Sequence, residues 1–473
     1  MRVLFFMSHE GHARNFEWTL RLLADRGHDL VVALDRYPER DGVQEPLRSL
    51  VAESPRTSIV AAPLERRGRL GAAGVGMRLW LDYLRYLQPE YAGATKLRER
   101  AASRTPGGRL AAKAVRPAAV RKSVRAALRA VERRVPPAPE LRSFLLDQNA
   151  DVVLATPLVD FGSPQVDYLR AAAAARLPTM LPVASWDNLT VKGGIHVIPD
   201  RVTVWNDVQR REAIELHGIA ATKVVETGAV AYDHWFDWRP SAARDVFCAR
   251  AGLASAGPFV LYLCSSRFIA PDEAEFVREW ADRVRREIPG LDVLVRPHPG
   301  NPLDVARLGD LPAFPRDGSN PVDPASRADY FDSIFHSAAV VGVNTSGFLE
   351  SAIAGRAVHT LLSHRHRGTQ EQTLHFHYLL EENGGPLRSA KTIEEHAAQL
   401  REAVSDPAAG SRRASRFIER FVRPFGREEA ASPRLVDAVE DLAGYRPPSR
   451  ARVSVGSTIH DGNSSAGGLP RVL

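Results

Sequence analysis

Short apolar runs rich in β-branched residues alternate with amphipathic segments of helical period along most of this chain. The stretch 2–7 is apolar, Ser8-His9-Glu10-Gly11-His12 turns, and Phe16, Leu20 and Leu23 recur at helical spacing. Gly27 then closes the helix before a second apolar run at 29–34. That order predicts strand, turn, helix, strand. Further strands are expected at 57–62, 151–155, 179–184, 201–205 and 223–227, with helices near 166–176 and 207–217. A second alternating unit starts after Trp238-Arg239-Pro240, with strands at 258–264, 291–296, 338–343 and 357–362. Its helices are expected at 271–288, 329–337 and 346–354, a loop-rich stretch lies at 299–326, and helices at 392–405 and 414–421 close the unit. Two βα units of similar size predict an α/β protein with two doubly wound parallel sheets facing each other. Ligands of such sheets bind beyond the carboxyl ends of the strands, so the cleft between the units is the expected site.

One segment breaks the alternation. From about 71 to 148 the chain becomes Ala/Arg/Leu helices, interrupted at Pro89, at 105–108, at Pro117 and at 136–139. It is too long for a crossover and reads as a helical insert in the first domain. Gly71 to Gly76 follows no strand and reads as linker. With 473 residues the chain exceeds what one core usually supports. The expected division is 1–238 with its insert, 239–445, and a tail at 446–473 whose Ser/Gly/Pro/Arg composition predicts disorder. No internal period of 20–50 residues is present.

Charge sharpens the picture of the insert. The net formal charge is +7, yet 96–134 alone holds 13 Lys and Arg against Glu99 and Glu132. The excess is local and asks for a local explanation. An anionic membrane surface is one, and a solvated helical hairpin is the other. No aromatic interleaving or base-reading motif accompanies the charge, so nucleic acid is not expected as a partner. No apolar stretch approaches the roughly 20 residues of a membrane span. The run at 3–7 is too short for a signal peptide, and Cys248 and Cys264 form no framework. The expected location is the cytosol, with association at the inner face of the plasma membrane if the insert binds lipid.

The run Val340-Val341-Gly342-Val343-Asn344-Thr345-Ser346-Gly347-Phe348-Leu349-Glu350 carries the most chemistry. It reads as a strand delivering the start of a helix, whose first N–H groups lack intrahelical partners and carry about half a positive charge. Thr345 and Ser346 add hydroxyls, and Gly347 lets a ligand approach the backbone. Such a terminus suits phosphate, while Glu350, one turn in, suits a ribose diol. Arg296-Pro297-His298-Pro299 ends an expected strand and aims a guanidinium and an imidazole at the same edge. Ser265-Ser266-Arg267 offers hydroxyls and a cation at the equivalent position of another strand.

Together these motifs, with the 355–358 turn Gly-Arg-Ala-Val, resemble the donor half of two-domain (GT-B) glycosyltransferases, most nearly CDP-glycerol glycerophosphotransferases and capsule polysaccharide transferases. Trp205-Asn206, Thr227-Gly228 and Tyr232-Asp233 are also similar. The resemblance covers about 1–70 and 150–425 and is most specific at 291–300 and 340–362; the basic insert departs from it. It implies that His298, Thr345 and Ser346 hold donor phosphates and that Glu350 meets the nucleotide ribose; Arg296 and Asn344 are further donor-binding candidates from the same segments. It also implies a nucleotide-activated sugar or CDP-polyol as donor substrate, a polysaccharide or lipid-linked acceptor, and no required cofactor or metal.

The resemblance also implies that the loop of Glu10, Gly11 and His12 looks across the cleft on the acceptor side, and an imidazole there is suited to take a proton from a hydroxyl. Asp187 is the rival base; Trp186 and Asn188 stand beside it, Trp186 as a sugar platform. Gln370, in a turn after a strand, is expected to bond sugar or glycerol hydroxyls. His364, His366, His375 and His377 lack the spacing of one metal-binding face. A nucleotide-sugar 2-epimerase on the same fold and a non-catalytic nucleotide-binding scaffold are the rival functions.

Overall fold

Twelve strands form in the described residues, and their hydrophobic runs explain where they sit. The computed structural model describes residues 1–38, 43–63, 69–253, 257–301, 303–316, 318 and 320–445; the tail expected at 446–473 lies outside them. The first sheet holds β1 (Arg2–His9), β2 (Asp29–Arg36), β3 (Thr57–Ala61), β4 (Val152–Thr156), β5 (Thr179–Pro182), β6 (Arg201–Val204) and β7 (Val224–Glu226), in the order β3-β2-β1-β4-β5-β6-β7. The second holds β8 (Phe259–Leu263), β9 (Asp292–Arg296), β10 (Ala339–Gly342), β11 (Ala357–Leu361) and β12 (Leu387–Ala390), in the order β12-β11-β10-β8-β9. Each pairing within these sheets is parallel. Helices cover both faces, so β4 and β8 are buried at every residue.

Strand order locates the binding edge. In the first sheet the order reverses between β1 and β4, and in the second between β8 and β10. Crevices open where the order reverses, at the carboxyl ends. The loops at those two points carry residues 9–15 and 157–163 in one sheet, and 264–270 and 343–347 in the other. His9, Gly11, His12 and Arg14 from the first sheet and Cys264 and Thr345 to Gly347 from the second line one cleft between the sheets.

Several expectations need correction. Gly71 to Gly76 is no linker: it lies inside the helix Arg69–Arg85, the first of the insert between β3 and β4. The helix expected from 329 runs Pro324–Phe335, because Asp323 accepts from the Ser326 N–H at 2.9 Å and Pro324 is preorganised for the first turn. The short edge strand β12 was not foreseen. The helix Ser432–Leu442, expected within the second domain's range 239–445, instead packs on the first domain. Leu435, Val436 and Val439 are buried against Phe16, Leu20 and Leu23, and Arg26 and His28 pair with Glu440 at 2.8 Å each.

The insert also spans the cleft. Its helix Thr95–Arg104 reaches the second domain: Thr95 Oγ1 donates to Gln372 Oε1 at 2.8 Å, and the Arg100 guanidinium lies 4.4 Å from the Phe268 ring centre. Its helix Arg69–Arg85 braces the loop after β5. Asp82 accepts from the Gly162 and Gly194 N–H groups at 2.9 and 2.7 Å, and Arg85 donates to the Lys192 and Gly193 carbonyls at 2.9 and 2.8 Å. A Cβ on Gly193 would meet Asp82 Oδ1 at 2.8 Å and two backbone carbonyls at 2.9 Å, so the loop passes only as glycine. None of the helices in the described residues is long and apolar enough to cross a membrane.

Candidate functional site

The second-domain half of the cleft is built at the carboxyl ends of β9 and β10. A cavity of about 540 Å³ there is lined by Arg296, His298, Thr345, Ser346, Gly347 and Glu350, and from the first domain by His9, Gly11 and Arg14. The expected grouping of the Arg-Pro-His-Pro turn with the 345–347 turn is thus present in space. The His298 ring is oriented by its own loop: Nδ1 accepts from the Gly300 N–H at 2.9 Å, so a neutral ring carries its proton on Nε2. Burial, and then the Arg14 charge, lower its pKa below the usual imidazole value, which keeps that neutral form at pH 7.

Arg296 is nearly buried, with its guanidinium 4.6 Å from the centre of the Tyr330 ring. The Tyr330 hydroxyl donates to Glu350, whose carboxyl pKa is raised by burial, against the opposing pull of that hydrogen bond and of Arg14 and Arg296. Gly347 fits closely here: a Cβ would stand 2.5 Å from Leu263 Cδ1 and 3.1 Å from the Tyr330 hydroxyl, so a larger residue would have to displace Leu263. The helix it opens, Gly347–Ile353, is only seven residues long, and its first N–H groups are largely bonded within the turn. Gly347 N–H donates to Thr345 Oγ1, Phe348 N–H to Thr345 O and Leu349 N–H to Ser346 O. The helix-terminus reading therefore contracts to the Thr345-Ser346 turn itself, which shares its cavity with the cations Arg14 and Arg296.

The first-domain half is a cavity of about 300 Å³ lined by His12, Arg14, Asp187, Asn188, Lys192 and Tyr232. Arg14, Pro321, Tyr330, Ser346 and Glu350 line both cavities, so the two are lobes of one cleft. His12 stacks near His9, ring centres 4.3 Å apart. Burial, followed by the charges of His9 and Lys192, lowers its pKa to about 3, so it enters the cleft as an uncharged ring. Asp187 Oδ1 accepts from Ser185 Oγ at 2.7 Å and from Asn188 Nδ2 at 3.4 Å. Lys192 donates to Asp160 at 3.0 Å; burial would raise that carboxyl, but Lys192 and the two histidines bring it below its ordinary value. Arg14, Tyr330, Lys192 and Asp160 were not foreseen. They come from loops and a helix remote in sequence, and only the fold brings them together.

Seven expected site residues stand elsewhere. Gln370 is fully buried and spends its amide on Val343 O, Leu361 O and Thr360 Oγ1, with Oε1 accepting from the Ser363 N–H, so it clamps β10 to β11. Ser265 is fully buried on Glu273, and the Asn344 amide donates to the Thr369 carbonyl at 2.6 Å. Ser266 caps the turn to Ala270 through its carbonyl, and Arg267 is exposed outside both lobes. Trp186 is no platform: it is buried edge-on to His375, 4.7 Å between centres, in the core of the second domain. Glu10 accepts from the Gln44 N–H at 2.9 Å and holds that loop. A still larger cavity, about 770 Å³, lies behind the cleft beside the helix Glu17–Asp25. Its cations Arg21, Arg327 and Arg423 are engaged by Glu53, Glu17 and Asp233, which makes it a poorer anion site.

Glu273 makes one stability prediction. Burial pushes its carboxyl pKa up to about 7, with hydrogen bonds from Ser265 and Tyr262 opposing. A raised folded pKa means the native state holds a proton that the unfolded state has released, so stability falls as pH rises from about 4.5 to 7. Urea midpoints of the parent should fall relative to those of the Glu273→Gln variant as pH rises over that window, because only the parent loses the proton held at this carboxyl. Parallel curves would refute the assignment.

No family model matches the chain, and neither does any curated protein. Solved structures share its fold. A Staphylococcus aureus MnaA–UDP complex superposes with a TM-score of 0.50 at 12% identity, over 94% of this chain and 97% of that one. A UDP-GlcNAc 2-epimerase from Neisseria meningitidis bound to UDP-GlcNAc gives 0.51 at 10%, over 93% and 100%. Anabaena HepE with UDP gives 0.50 at 12%, over 93% and 100%. At these identities the likeness is one of fold: two facing parallel-sheet domains of GT-B type.

Proposed function

We propose that the cleft binds a nucleotide-activated sugar and that the protein transfers its glycosyl group to a hydroxyl of a cell-surface polysaccharide or lipid-linked acceptor. The observation that carries this reading is the meeting of both sheet switch points on one cleft. Cationic and hydrogen-donating groups (Arg296, His298, Thr345, Ser346) stand on one wall and proton-accepting groups (His12, Asp187) on the other. The fold neighbours that carry UDP or UDP-GlcNAc support a nucleotide ligand.

In the reaction, the bond between the anomeric carbon and the diphosphate oxygen breaks, and its electron pair leaves with the diphosphate. Arg296 and neutral His298 stabilise that charge as it develops. The acceptor oxygen bonds to the anomeric carbon and gives its proton to Asp187 or, against the pKa of about 3 that burial imposes, to His12. Glu350, held by Tyr330, faces the ribose. Domain walls exclude water that would hydrolyse the donor. A CDP-polyol donor would use the same cationic wall, with the bond breaking at phosphorus.

A second reading, nucleotide-sugar 2-epimerisation, is favoured by the fold neighbour from Neisseria meningitidis, a UDP-GlcNAc 2-epimerase. Incubation with UDP-GlcNAc alone separates the two. Transfer predicts an unchanged donor until an acceptor fraction is added, and epimerisation predicts the 2-epimer without one. Calorimetry with CMP, CDP, UDP and GDP showing no heat for any of them would sink both.

A further inference from the structure

We infer that the insert's outer face is a docking surface for an anionic phospholipid bilayer. Between 113 and 134, Lys113, Arg116, Lys122, Arg129, Arg133 and Arg134 are exposed, and the single carboxylate, Glu132, is buried beside Arg78 and Arg170. The helix Ala118–Arg134 turns Val124 and Leu128 inward against the insert's core. Its outward face is Ala119, Ser123, Ala126 and Ala127, flanked by Lys122, Arg129 and Arg133 on one side and by Val120 and Val131 on the other. Leu110, on the preceding short helix, is 92% exposed, with Val131 at 54% and Val120 at 41%.

Charge complementarity selects the partner. The insert segment 96–134 carries +11 against a total of +7, so the rest of the chain is net negative and the excess of cations is concentrated here. A polyanion is required, and the apolar side chains among the cations distinguish which. The segment 96–134 contains no aromatic residue and no Asn or Gln, so nothing there stacks on a base or reads its edge. Aliphatic side chains among cations fit the boundary between headgroups and acyl chains. The adjoining helix Thr95–Arg104 contacts Phe268 of the second domain, so the surface belongs to the part of the insert that joins the two domains. The inference stands apart from the reading of the reaction and fails or survives without it.

Co-sedimentation of the full chain with vesicles tests it. One set holds about one-third phosphatidylglycerol in phosphatidylcholine, and the other phosphatidylcholine alone. Each well-placed cation is worth roughly fivefold in partitioning. A variant with the six exposed cations changed to glutamine should therefore bind the anionic vesicles at least about 100-fold more weakly. Leu110→Asp should weaken binding with the charge otherwise intact. All seven positions are exposed, so circular dichroism and the melting curve should match the parent. Equal binding to both vesicle sets, or undiminished binding by the six-residue variant, overturns the inference. So does an unchanged Leu110→Asp variant whose parent is stripped from vesicles by duplex DNA of equal charge, since that would mark a polyanion site of no lipid preference.

Discussion

Changing His298 to alanine is expected to lower turnover of the nucleotide sugar by about 100-fold or more, with nucleotide affinity altered by less than about tenfold. The asymmetry follows from what the ring does. Its Nδ1 is committed to the Gly300 N–H, and burial with the nearby Arg14 charge keeps the ring neutral, so its Nε2–H is a fixed donor in the cavity. A donor of that kind earns its effect where negative charge grows, on the departing diphosphate, more than on the bound ground state. His298→Gln, which retains an N–H donor, should recover part of the loss. Stopped-flow or steady-state kinetics with calorimetry in parallel would check this. Near-normal turnover in His298→Ala would remove the residue from the mechanism.

The largest stability effect is expected at Asp233, which no part of the chemistry needs. Its two oxygens accept from the Ala431 and Ser432 N–H groups at 2.8 and 2.7 Å, at the start of the helix Ser432–Leu442. Oδ1 also pairs with Arg423 at 3.3 Å, and both side chains are almost buried. Alanine there leaves a buried guanidinium without its counter-charge and strips two backbone donors of their partner. Losses of that kind are about 3–5 kcal/mol. The result should be seen as a lowered urea midpoint and, more locally, as fast amide exchange over 432–442 against an unchanged rate in β4. Exchange that stays slow at 432–442 would show that apolar packing alone anchors the helix.

Most of the architecture could be read from residue order because parallel strands are buried on both faces. Runs such as Val152–Thr156 and Phe259–Leu263 are buried throughout and mostly apolar, and their positions agree with the expected strands to within a residue or two. The strand β12 escaped because Leu387-Arg388-Ser389-Ala390 is half polar at a sheet edge. The Asp323-Pro324 pair was an available signal for an earlier start to the helix that carries Tyr330. Part of the cleft was equally legible: the 296–298 and 345–347 turns, His12 and Asp187 all reach it. What composition does not encode is direction. Ser346 faces the cleft and Ser265 faces Glu273, though both follow strands as small hydroxyl residues. Gln370 and Trp186 had plausible ligand chemistry and are consumed by the interior instead. Arg14, Asp160 and Lys192 looked like ordinary loop charges, and only the convergence of the loops after β1, β4 and β5 gives them neighbours.

The return of Ser432–Leu442 to the first sheet has a practical consequence for anyone dividing this chain. A fragment ending near 238 would leave Phe16, Leu20 and Leu23 facing solvent, and one beginning there would carry Leu435, Val436 and Val439 with nothing to cover them. Each half holds a piece of the other's wall. Two-hybrid baits, truncation series and separately expressed lobes cut at that point would sample sticky, incomplete bodies, so swaps or excisions should keep 432–442 joined to the amino-terminal portion.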